Sequence, residues 1–282
     1  MRDRFQQAVL SWGLPQLRDL PWRGTRDPWQ ILVSEVMLQQ TQVERVIPKW
    51  FAFLDAFPDP ARCAAAPLGD VLRLWQGLGY PRRGQNLQRA AQAIVDGGRF
   101  PDNLETLLAL AGVGAYTARA VLAFAFESDA AVVDTNIARV FARLAGQPLS
   151  ARAVQQCADQ TLPAGESWEW NQCLMDLGAV VCRSRVPLCG TCPLANWCSW
   201  RGQGPDPAVG SAGVSGSQSR FEGSDRQGRG RLIKRLGEGA LRSAEIADAM
   251  GWPQQFERAE RIAGSLVAEG LVENGNGWFR LP

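Results

Sequence analysis

The sequence predicts a mostly helical protein in which an all-α body over residues 1–200 is followed by a small α+β domain over residues 221–282. Three observations predict this fold class. Apolar residues in the body repeat with helical spacing, no regular alternation marks a sheet there, and the stretch at 201–220 is rich in Gly, Ser, Pro and Ala. That composition is typical of a flexible linker, which is why a separate second domain is expected.

Helical spacing is clearest near residue 90. Apolar residues follow the i, i+3, i+4, i+7 pattern of a helix with one buried face at Leu87, Ala90, Ala91 and Ile94. Residues 121–126 and 174–181 have the composition of buried helical segments, and Pro-containing breaks at 57–60 and 100–103 separate the helices. The body is therefore expected to be all-α.

Beyond the linker, three helical patterns and a hairpin follow one another. The helices are expected at residues 226–236, 243–250 and 255–269, and the hairpin, turned at an Asn-Gly pair, at 271–281. This order resembles a winged helix, a module that touches DNA, binds a protein or caps a fold. The first helix clusters five basic residues that would either neutralise phosphates or form a solvated face: Arg226, Arg229, Arg231, Lys234 and Arg235. We expect the domain to support DNA affinity in general.

Composition excludes several classes of function. The 282 residues are 46% hydrophobic, so the chain can bury a full core, and no apolar run approaches the roughly 20 residues that span a bilayer. Histidine is absent, which removes Ser-His triads and leaves acid/base chemistry to carboxylates. Lys49 and Lys234 are the only lysines. The net charge of +2 permits binding to a polyanion without arguing for it.

Four of the seven cysteines lie within one short stretch. They have the spacing C-x6-C-x2-C-x5-C, at Cys182, Cys189, Cys192 and Cys198. An even spread of seven cysteines over 282 residues would place about 0.4 in a stretch of this length, so the group is expected to be a ligand set. Disulfides are disfavoured in a cytosolic protein, which leaves a four-thiolate site for zinc or for an iron–sulfur cluster. The other three cysteines are expected to be small buried thiols.

Seven motifs follow one another between residues 20 and 200. They are Leu-Pro-Trp-Arg at 20–23, Val-Ser-Glu-Val-Met-Leu-Gln-Gln-Thr at 33–41, Gly-Leu-Gly-Tyr at 77–80, Leu-Ala-Gly-Val-Gly-Ala-Tyr-Thr at 110–117, Val-Val-Asp-Thr-Asn at 132–136, Asn-Gln at 171–172, and the four cysteines. In this order they resemble the helix-hairpin-helix DNA glycosylases related to endonuclease III. The motif at 33–41 is similar to that of the MutY-type, A/G-specific adenine DNA glycosylases. Two residues depart from the pattern: Ala111 stands where proline is usual, and Thr135 where glycine is usual.

The resemblance implies a [4Fe-4S] cluster on the four cysteines. It also implies that the winged-helix-like tail stands in place of the Nudix-related domain that many adenine glycosylases use to recognise 8-oxoguanine. A helix-hairpin-helix DNA grip is implied at Gly112 and Gly114. Glycines there let the backbone approach a phosphate, and the free N–H groups of the following helix bind the anion without reading sequence.

Two carboxylates are expected to carry the chemistry, since cleavage of an N-glycosidic bond needs an acid for the leaving base and a carboxylate for the oxocarbenium-like sugar. Glu35 lies in an apolar stretch, where desolvation would raise its pKa and suit it as the proton donor. Asp134 opens a helix, and the helix N-terminus favours the ionised form. Asn136, in the same motif, is assigned to the catalytic group with them.

Tyr116 belongs to the same group and distinguishes between relatives. In bifunctional relatives the corresponding position carries the lysine that forms a Schiff base and cleaves the strand. Here the residue is tyrosine, and Lys49 lies in a different helix. The resemblance therefore implies an enzyme without a lysine-dependent strand-cleavage step.

Base flipping is needed because the target bond is inaccessible within a stacked duplex. The residues that the resemblance places at the DNA are Arg23, Gln40, Thr41, Leu78, Tyr80 and Gln172. The pair at 40–41 fills or flanks the gap in the stack, Tyr80 and Leu78 contact the opposite, oxidised guanine, and Gln172 reads an edge of the flipped adenine. Core packing is nearly as well supported for Leu78, and Arg23 supports the pocket.

The expected function is excision of adenine mispaired with 8-oxoguanine or guanine in double-stranded DNA, by a monomeric, cytoplasmic, bacterial enzyme. A mismatch-specific thymine or uracil glycosylase is the nearest alternative, because it shares the scaffold and can share Tyr116. A bifunctional endonuclease III-like enzyme is disfavoured by the same tyrosine. An iron–sulfur DNA-binding regulator would explain the cysteines and the tail, but it has no need of Glu35 and Asp134.

Overall fold

The computed structural model describes residues 3–214 and 220–282 and is mainly helical. Its α-helices are α1 (Arg4–Gly13), α2 (Pro28–Leu38), α3 (Val43–Ala56), α4 (Pro60–Ala65), α5 (Leu68–Trp75), α6 (Arg82–Asp96), α7 (Leu104–Leu108), α8 (Ala115–Ala125), α9 (Thr135–Ala145), α10 (Ala151–Thr161), α11 (Ser167–Asp176), α12 (Asp225–Glu238), α13 (Ile246–Met250) and α14 (Phe256–Ala268). The strands are β1 (Leu241–Arg242), β2 (Glu273–Gly275) and β3 (Trp278–Arg280). Within the described residues up to 200 there is no strand, which confirms the all-α body. None of the helices in the described ranges is long and apolar enough to cross a membrane.

The chain groups into two compact units. Unit 1 comprises Met1–Ile31, Asp102–Leu108 and Gly114–Ser217, and unit 2 comprises Leu32–Pro101, Ala109–Val113 and Gln218–Pro282. The chain thus passes from unit 1 to unit 2 three times, with two returns to unit 1, and ends in unit 2. The functional division into a body at 1–200 and a domain at 221–282 stays a prediction.

Unit 1 is built on a core to which α1, α9, α10 and α11 contribute. Trp170 and Leu174 of α11 belong to the same buried cluster as Val9 and Leu10 of α1. The last turn of this segment, Leu177–Val181, is π-helical, so residues 174–181 are helical as expected but widen at their end.

The packing of α6 in unit 2 depends on small residues. A Cβ at Gly84 would lie 3.0 Å from the ring of Trp75, which is 2% exposed. Gln88 donates hydrogen bonds to the carbonyls of Cys63 (3.2 Å) and Ala66 (2.7 Å). The apolar face expected on α6 is buried, at Leu87, Ala90, Ala91 and Ile94.

The three helices and the hairpin of the tail lie where the sequence predicts them. The hairpin turns at Asn276 and Gly277, whose φ angles of 54° and 75° are those of a two-residue type I′ connection. β1 pairs with β3, so the sheet order is β1-β3-β2. The sequence did not predict β1 because two residues, Leu241 and Arg242, are too few to show alternation.

The tail shares a core with α5. Leu72 of α5 is 1% exposed and belongs to the same buried cluster as Leu232 and Leu236 of α12. The Gly69 amide donates a hydrogen bond to the carbonyl of Pro282 at 2.7 Å. The tail is therefore packed into unit 2 by apolar and backbone contacts.

The basic residues of α12 do not form one free positive face. Arg229 pairs with Glu269 at 2.6 Å, Arg235 pairs with Glu238, and Arg231 donates a hydrogen bond to a backbone carbonyl of α13 at 3.3 Å. The interpretation as a phosphate-binding cluster is thus unsupported for these three residues. The two acidic partners are Glu238, at the end of α12, and Glu269, just after α14.

Much of the expected linker is packed against unit 1. Asp206 accepts hydrogen bonds from Arg143, and Ala208 is 4% exposed. The Ala212 amide donates to the carbonyl of Leu149 at 2.9 Å. The small side chains that suggested flexibility instead let this backbone lie close to its neighbours. Residues 215–219, the rest of this stretch, lie outside the described residues.

The three cysteines outside the motif differ in how deeply they are buried. Cys63 and Cys173 are fully buried, and burial raises the pKa of each thiol to about 12. Both therefore stay protonated at neutral pH. Cys157 is partly exposed, in contrast to the buried position expected.

Two glycines of α12 allow a matched test of the tail's packing. A Cβ at Gly228 would lie 2.1 Å from the ring of Trp252, whereas nothing lies within 4 Å of a Cβ at Gly230. Gly228→Ala should lower the free energy of unfolding by about 1–3 kcal/mol through overpacking. Gly230→Ala should raise it by up to about 1 kcal/mol through helix propensity. Chemical denaturation measures both, and equal effects of the two substitutions would contradict the packing described.

Candidate active site and cysteine cavity

Asp134 is fixed at the N-terminus of α9. Its carboxylate accepts hydrogen bonds from the backbone amides of Asn136 (2.9 Å) and Ile137 (2.7 Å) and from the Asn136 side chain (2.8 Å). The segment before it is held by Asn171, whose side-chain oxygen accepts from the Val132 amide at 2.9 Å. These bonds give the carboxylate a single orientation.

The environment of Asp134 makes its charged form costly. Burial raises the pKa of the Asp134 carboxyl, and this outweighs the hydrogen bonds from Ile137 and Asn136 and the charge of Arg139, which lower it. We expected the helix N-terminus to favour ionisation; it acts in that direction, but the net shift is upward. Such a carboxylate interacts strongly with a cation that forms beside it, because little solvent screens the pair.

Arg139 connects Asn136 to the cysteine loop. Its guanidinium is 6% exposed and donates hydrogen bonds to Asn136 Oδ1 (2.7 Å) and to the carbonyls of Cys182 (2.8 Å) and Gly178 (2.6 Å). A Cβ at Gly178 would lie 2.6 Å from Asn136 Cβ, so glycine is required for this approach. One side chain thus joins the residue that orients Asp134 to the first cysteine of the motif.

Arg143, one turn further along α9, holds the same loop. It is 1% exposed, and its Nη1 donates to the Cys182 carbonyl (3.2 Å) and lies 3.4 Å from Cys182 Sγ. Asp206 accepts two hydrogen bonds from it, and its guanidinium lies 4.5 Å from the ring centre of Trp200. Burial raises the pKa of the Cys182 thiol, and the positive charge of Arg143 offsets only part of that increase.

The four cysteines of the motif line a single cavity of about 250 Å³ in unit 1. None of them forms a disulfide. The backbone of Arg201 and Gly202 lies close to two of the sulfurs. The Arg201 amide donates to Cys198 Sγ at 3.4 Å, and a Cβ at Gly202 would lie 3.2 Å from Cys189 Sγ. Across the described ranges, no group of three or more His, Cys, Asp or Glu side chains is arranged to hold a metal ion.

Arg23 forms a buried ion pair. Its two terminal nitrogens donate to the two carboxylate oxygens of Asp176, each at 2.8 Å, and the two side chains are 7% and 4% exposed. Burial alone would raise the pKa of Asp176, but the hydrogen bonds and charges of Arg23 and Arg18 hold it below its usual range. The structure therefore places Arg23 in a buried pair with Asp176 of α11, which fits the supporting role expected for it, while its contact with DNA stays a prediction.

Glu35 lies on α2 with apolar neighbours in sequence that are themselves buried. It is 4% exposed, beside Val33 at 0% and Val36 at 4%. These are the surroundings that the sequence predicted for it. A carboxyl group in such a position can retain and deliver a proton where a solvated one would not.

Arg83 of α6 ties together two loops of unit 2. Its guanidinium donates to the carbonyls of Val36, Met37 and Gln39 at the end of α2, at 2.6–3.1 Å. It also donates to the Leu78 and Gly79 carbonyls and to Thr41 Oγ1, at 2.7–3.1 Å. Burial lowers the pKa of Arg83 to about 10, so it remains charged at neutral pH.

The two loops, around Gln40 and around Tyr80, each contain both exposed and less exposed side chains. Gln40 (φ 57°) and Tyr80 (φ 46°) both adopt left-handed backbone conformations; Gln40 is exposed, and Tyr80 is 41% exposed. Thr41 donates to the Leu78 carbonyl at 3.1 Å. Leu78 itself is 3% exposed, which fits the core packing that the sequence supported nearly as well as a DNA contact.

The glycine pair lies between α7 and α8. Gly112 has φ +76°, and a Cβ there would lie 2.8 Å from Asn86 Cβ. Gly114 is extended and precedes the first turn of α8, with nothing within 4 Å of a Cβ. The turn therefore requires glycine at 112, while Gly114 leaves open space in front of the backbone N–H groups that begin α8.

The remaining predicted residues lie in unit 1. Gln172 of α11 is 4% exposed, and Tyr116 in the first turn of α8 is half-buried. Sequence reasoning missed Arg83, Arg139 and Asp176, which position residues that it named. Arg83 and Asp176 follow predicted motifs within four residues, but nothing in the sequence indicates which carbonyls or charges they meet.

Comparison with known proteins agrees with this arrangement. Residues 33–161 match the family described as HhH-GPD superfamily base excision DNA repair protein. Proteins named adenine DNA glycosylase from Mycobacterium tuberculosis (strain CDC 1551 / Oshkosh) and Mycolicibacterium smegmatis are 42% and 40% identical to this chain. Each alignment covers 97% of this chain and 92% or 94% of the relative.

Solved structures show the same fold. A thermostable thymine-DNA glycosylase is 32% identical, with a TM-score of 0.67, over 70% of this chain and 95% of that one. An endonuclease III in a non-covalent DNA complex, 24% identical, has a TM-score of 0.62 over 72% of this chain and 98% of that one. With the near full-length similarity to the two mycobacterial proteins, these findings show that the chain belongs to the adenine DNA glycosylase family of the helix-hairpin-helix base excision repair proteins.

Proposed function

We propose that the protein hydrolyses the N-glycosidic bond of adenine mispaired with 8-oxoguanine or guanine in double-stranded DNA, and that it leaves the strand intact. The observation that carries this proposal is the similarity to adenine DNA glycosylases over 97% of the chain. The thymine-DNA glycosylase likeness covers 70% and accounts for the shared scaffold alone. We further propose that the enzyme acts as a monomer in the bacterial cytoplasm.

The two carboxylates divide the chemistry. Glu35, held among buried apolar residues, donates a proton to the leaving base, so that the base departs neutral as the bond to the sugar breaks. The fixed Asp134 carboxylate stabilises the resulting oxocarbenium-like sugar or traps it covalently until water adds. Asn136 keeps the Asp134 oxygens in place through its amide and side chain. The products are free adenine and an abasic site.

Contacts with DNA are assigned to the exposed Gln40 and Tyr80 and to the more buried Thr41 and Gln172. Gln40 and Thr41 occupy the gap in the base stack, Tyr80 contacts the base opposite adenine, and Gln172 reads the flipped adenine. The N–H groups beside Gly114 bind a phosphate without reading sequence. Arg83 supports these contacts indirectly. Its hydrogen bonds to the Gln39 and Leu78 carbonyls fix the backbone next to Gln40 and Tyr80.

We propose that Cys182, Cys189, Cys192 and Cys198 hold a [4Fe-4S] cluster. Support comes from the single cavity that the four residues line and from the resemblance of their spacing to the family's cysteine loop. N–H donors that approach the sulfurs, as Arg143 and Arg201 do here, are a means by which proteins stabilise bound clusters. The four thiolates would hold the cluster and would thereby be cross-linked, in the loop whose Cys182 carbonyl accepts a hydrogen bond from Arg139.

The first prediction concerns substrate and product. On duplexes that differ in one pair, excision should be fastest for adenine opposite 8-oxoguanine, slower for adenine opposite guanine, and near background for thymine or uracil opposite guanine. The product strand should break only after alkaline treatment. Preferred excision of thymine, or efficient borohydride trapping of a covalent complex, would favour the rival functions.

The second prediction concerns the carboxylates. Glu35→Gln and Asp134→Asn should each abolish single-turnover excision and leave DNA affinity within a few-fold, because both changes keep shape and remove acid or charge. Asp59→Asn is the control, since Asp59 also caps a helix, α4, through an acceptor bond from Arg62 N at 2.8 Å. It should leave the rate unchanged.

In the same assay, the excision rate should depend on pH through the protonation of Asp134. Ionised Asp134 is required, and burial raises its pKa, so the rate should fall on acidification at a pH above the value of about 4 at which an ordinary aspartate titrates. Near-normal excision by either catalytic variant would overturn the assignment.

The third prediction concerns the cysteines. Protein purified without air should contain iron and acid-labile sulfide in a ratio near one, at about four of each per chain. Cys189→Ser should lower the iron content, whereas Cys157→Ser, at a partly exposed cysteine outside the cavity, should not. Stoichiometric zinc without iron would contradict the proposal.

A further inference from the structure

The loop that carries Tyr80 has a tightly specified backbone. Gly77, Gly79 and Tyr80 all have positive φ angles, of 90°, 77° and 46°. The left-handed conformation is costly for a residue with a side chain, so other contacts must hold Tyr80 there. Arg83 and the Trp75 indole N–H do so, by donating to the Gly79 carbonyl at 3.1 and 3.2 Å.

The side chain of Tyr80 is held by the tail. Arg226, in the first turn of α12, donates a hydrogen bond from Nη1 to the Tyr80 hydroxyl at 2.9 Å. The partners are separated by 146 positions in the sequence and both belong to unit 2. Tyr80 is thus fixed at the backbone by α6 and at the hydroxyl by α12.

The start of α12 is itself anchored. Its first residue, Asp225, pairs with Arg258 at 2.6 Å and with Arg261 at 3.0 Å, both on α14. These charges hold the pKa of Asp225 below its usual range, so the pairs persist at neutral pH. Ser224 caps the helix by accepting from the Gln227 amide. Arg226 therefore projects from a fixed helix end.

The far end of α12 contacts α5, the helix that leads into the Tyr80 loop. Arg73 Nε donates to the Gly237 carbonyl at 3.1 Å, and a Cβ at Gly237 would lie 2.5 Å from Gln76 Nε2. Together with the shared core at Leu72, these contacts join the tail to the segment just before the loop. A displacement of α12 would reach Tyr80 both through Arg226 and through α5.

We propose that the tail is part of the device that reads the base opposite adenine, and that Arg226 is a positioning residue that sets the orientation of Tyr80. The inference rests on the proposed function, since it assigns Tyr80 to the opposite base. It replaces the expectation that the tail supports affinity alone. A hydroxyl held by a guanidinium keeps the ring in one orientation, so that an oxidised guanine and a guanine meet a rigid contact surface instead of an adaptable one.

The test measures selectivity in the full-length protein by single-turnover excision of adenine opposite 8-oxoguanine and opposite guanine. Arg226→Ala should lower the ratio of the two rates by about 2- to 10-fold, the range expected for one net hydrogen bond. Tyr80→Phe, which removes the hydroxyl, should lower the ratio similarly. The double variant should lose little more than either single variant, because both changes remove one interaction. Arg226→Lys, which retains a donor, should restore part of the ratio.

Arg235→Ala is the matched control. Arg235 lies on the same helix and is exposed, and its surface pair with Glu238 contributes little to stability. It should leave the ratio unchanged. If Arg226→Ala weakens binding to all duplexes equally and leaves the ratio intact, Arg226 is a phosphate contact and the proposal is overturned. Additive effects in the double variant overturn it too, whereas a wild-type protein that excises no adenine overturns the proposed function itself.

Discussion

The hydrogen bonds that Arg139 donates to Asn136 and to the Cys182 carbonyl are the interaction on which the arrangement of unit 1 depends. Through them, the residue that orients the Asp134 carboxylate and the loop that carries the four cysteines share one guanidinium. A planar group with five donors suits this task, because it meets acceptors in several directions while its charge is never lost. Removal of the group would leave buried carbonyls and a side-chain amide without a donor, which is costly in an interior.

In unit 2, a different arginine, Arg83, likewise donates hydrogen bonds to several backbone carbonyls. Arg83 satisfies carbonyls at the end of α2 and in the loop after α5, so that two strained turns become one rigid surface. Each turn exposes a side chain, Gln40 in one case and Tyr80 in the other, whose position depends on an arginine below it. The chain has no histidine and two lysines, and its interior cations are accordingly guanidinium groups. The proposed catalytic carboxylates and DNA contacts are thus presented by scaffolds that arginines complete.

Features encoded within a few residues could be predicted from the sequence. The cysteine spacing, the helix-capping aspartate at 134 and the Asn-Gly hairpin turn are of this kind, and the structure has the cap and the turn where they were expected. Features that depend on distant partners could not. Arg229 of α12 suggested a phosphate contact because its partner, Glu269, comes from beyond another helix. Leu78 and Arg23 were placed at the DNA by their motifs, although their burial depends on packing that no local pattern records.

The core shared by Leu72 and residues 232–279 also has a consequence for biosynthesis. On the ribosome, Leu72 of α5 emerges more than 150 positions before its apolar partners on α12, so this side chain stays exposed until most of the remaining chain has been synthesised, whereas Trp75 of α5 can pack early against Phe53. Translation that stops before α12 yields a chain in which unit 1 has its own core while the Tyr80 loop lacks its support. If the tail positions Tyr80 as proposed, the ability to discriminate between bases is acquired late, after the helices that surround the cysteines are complete.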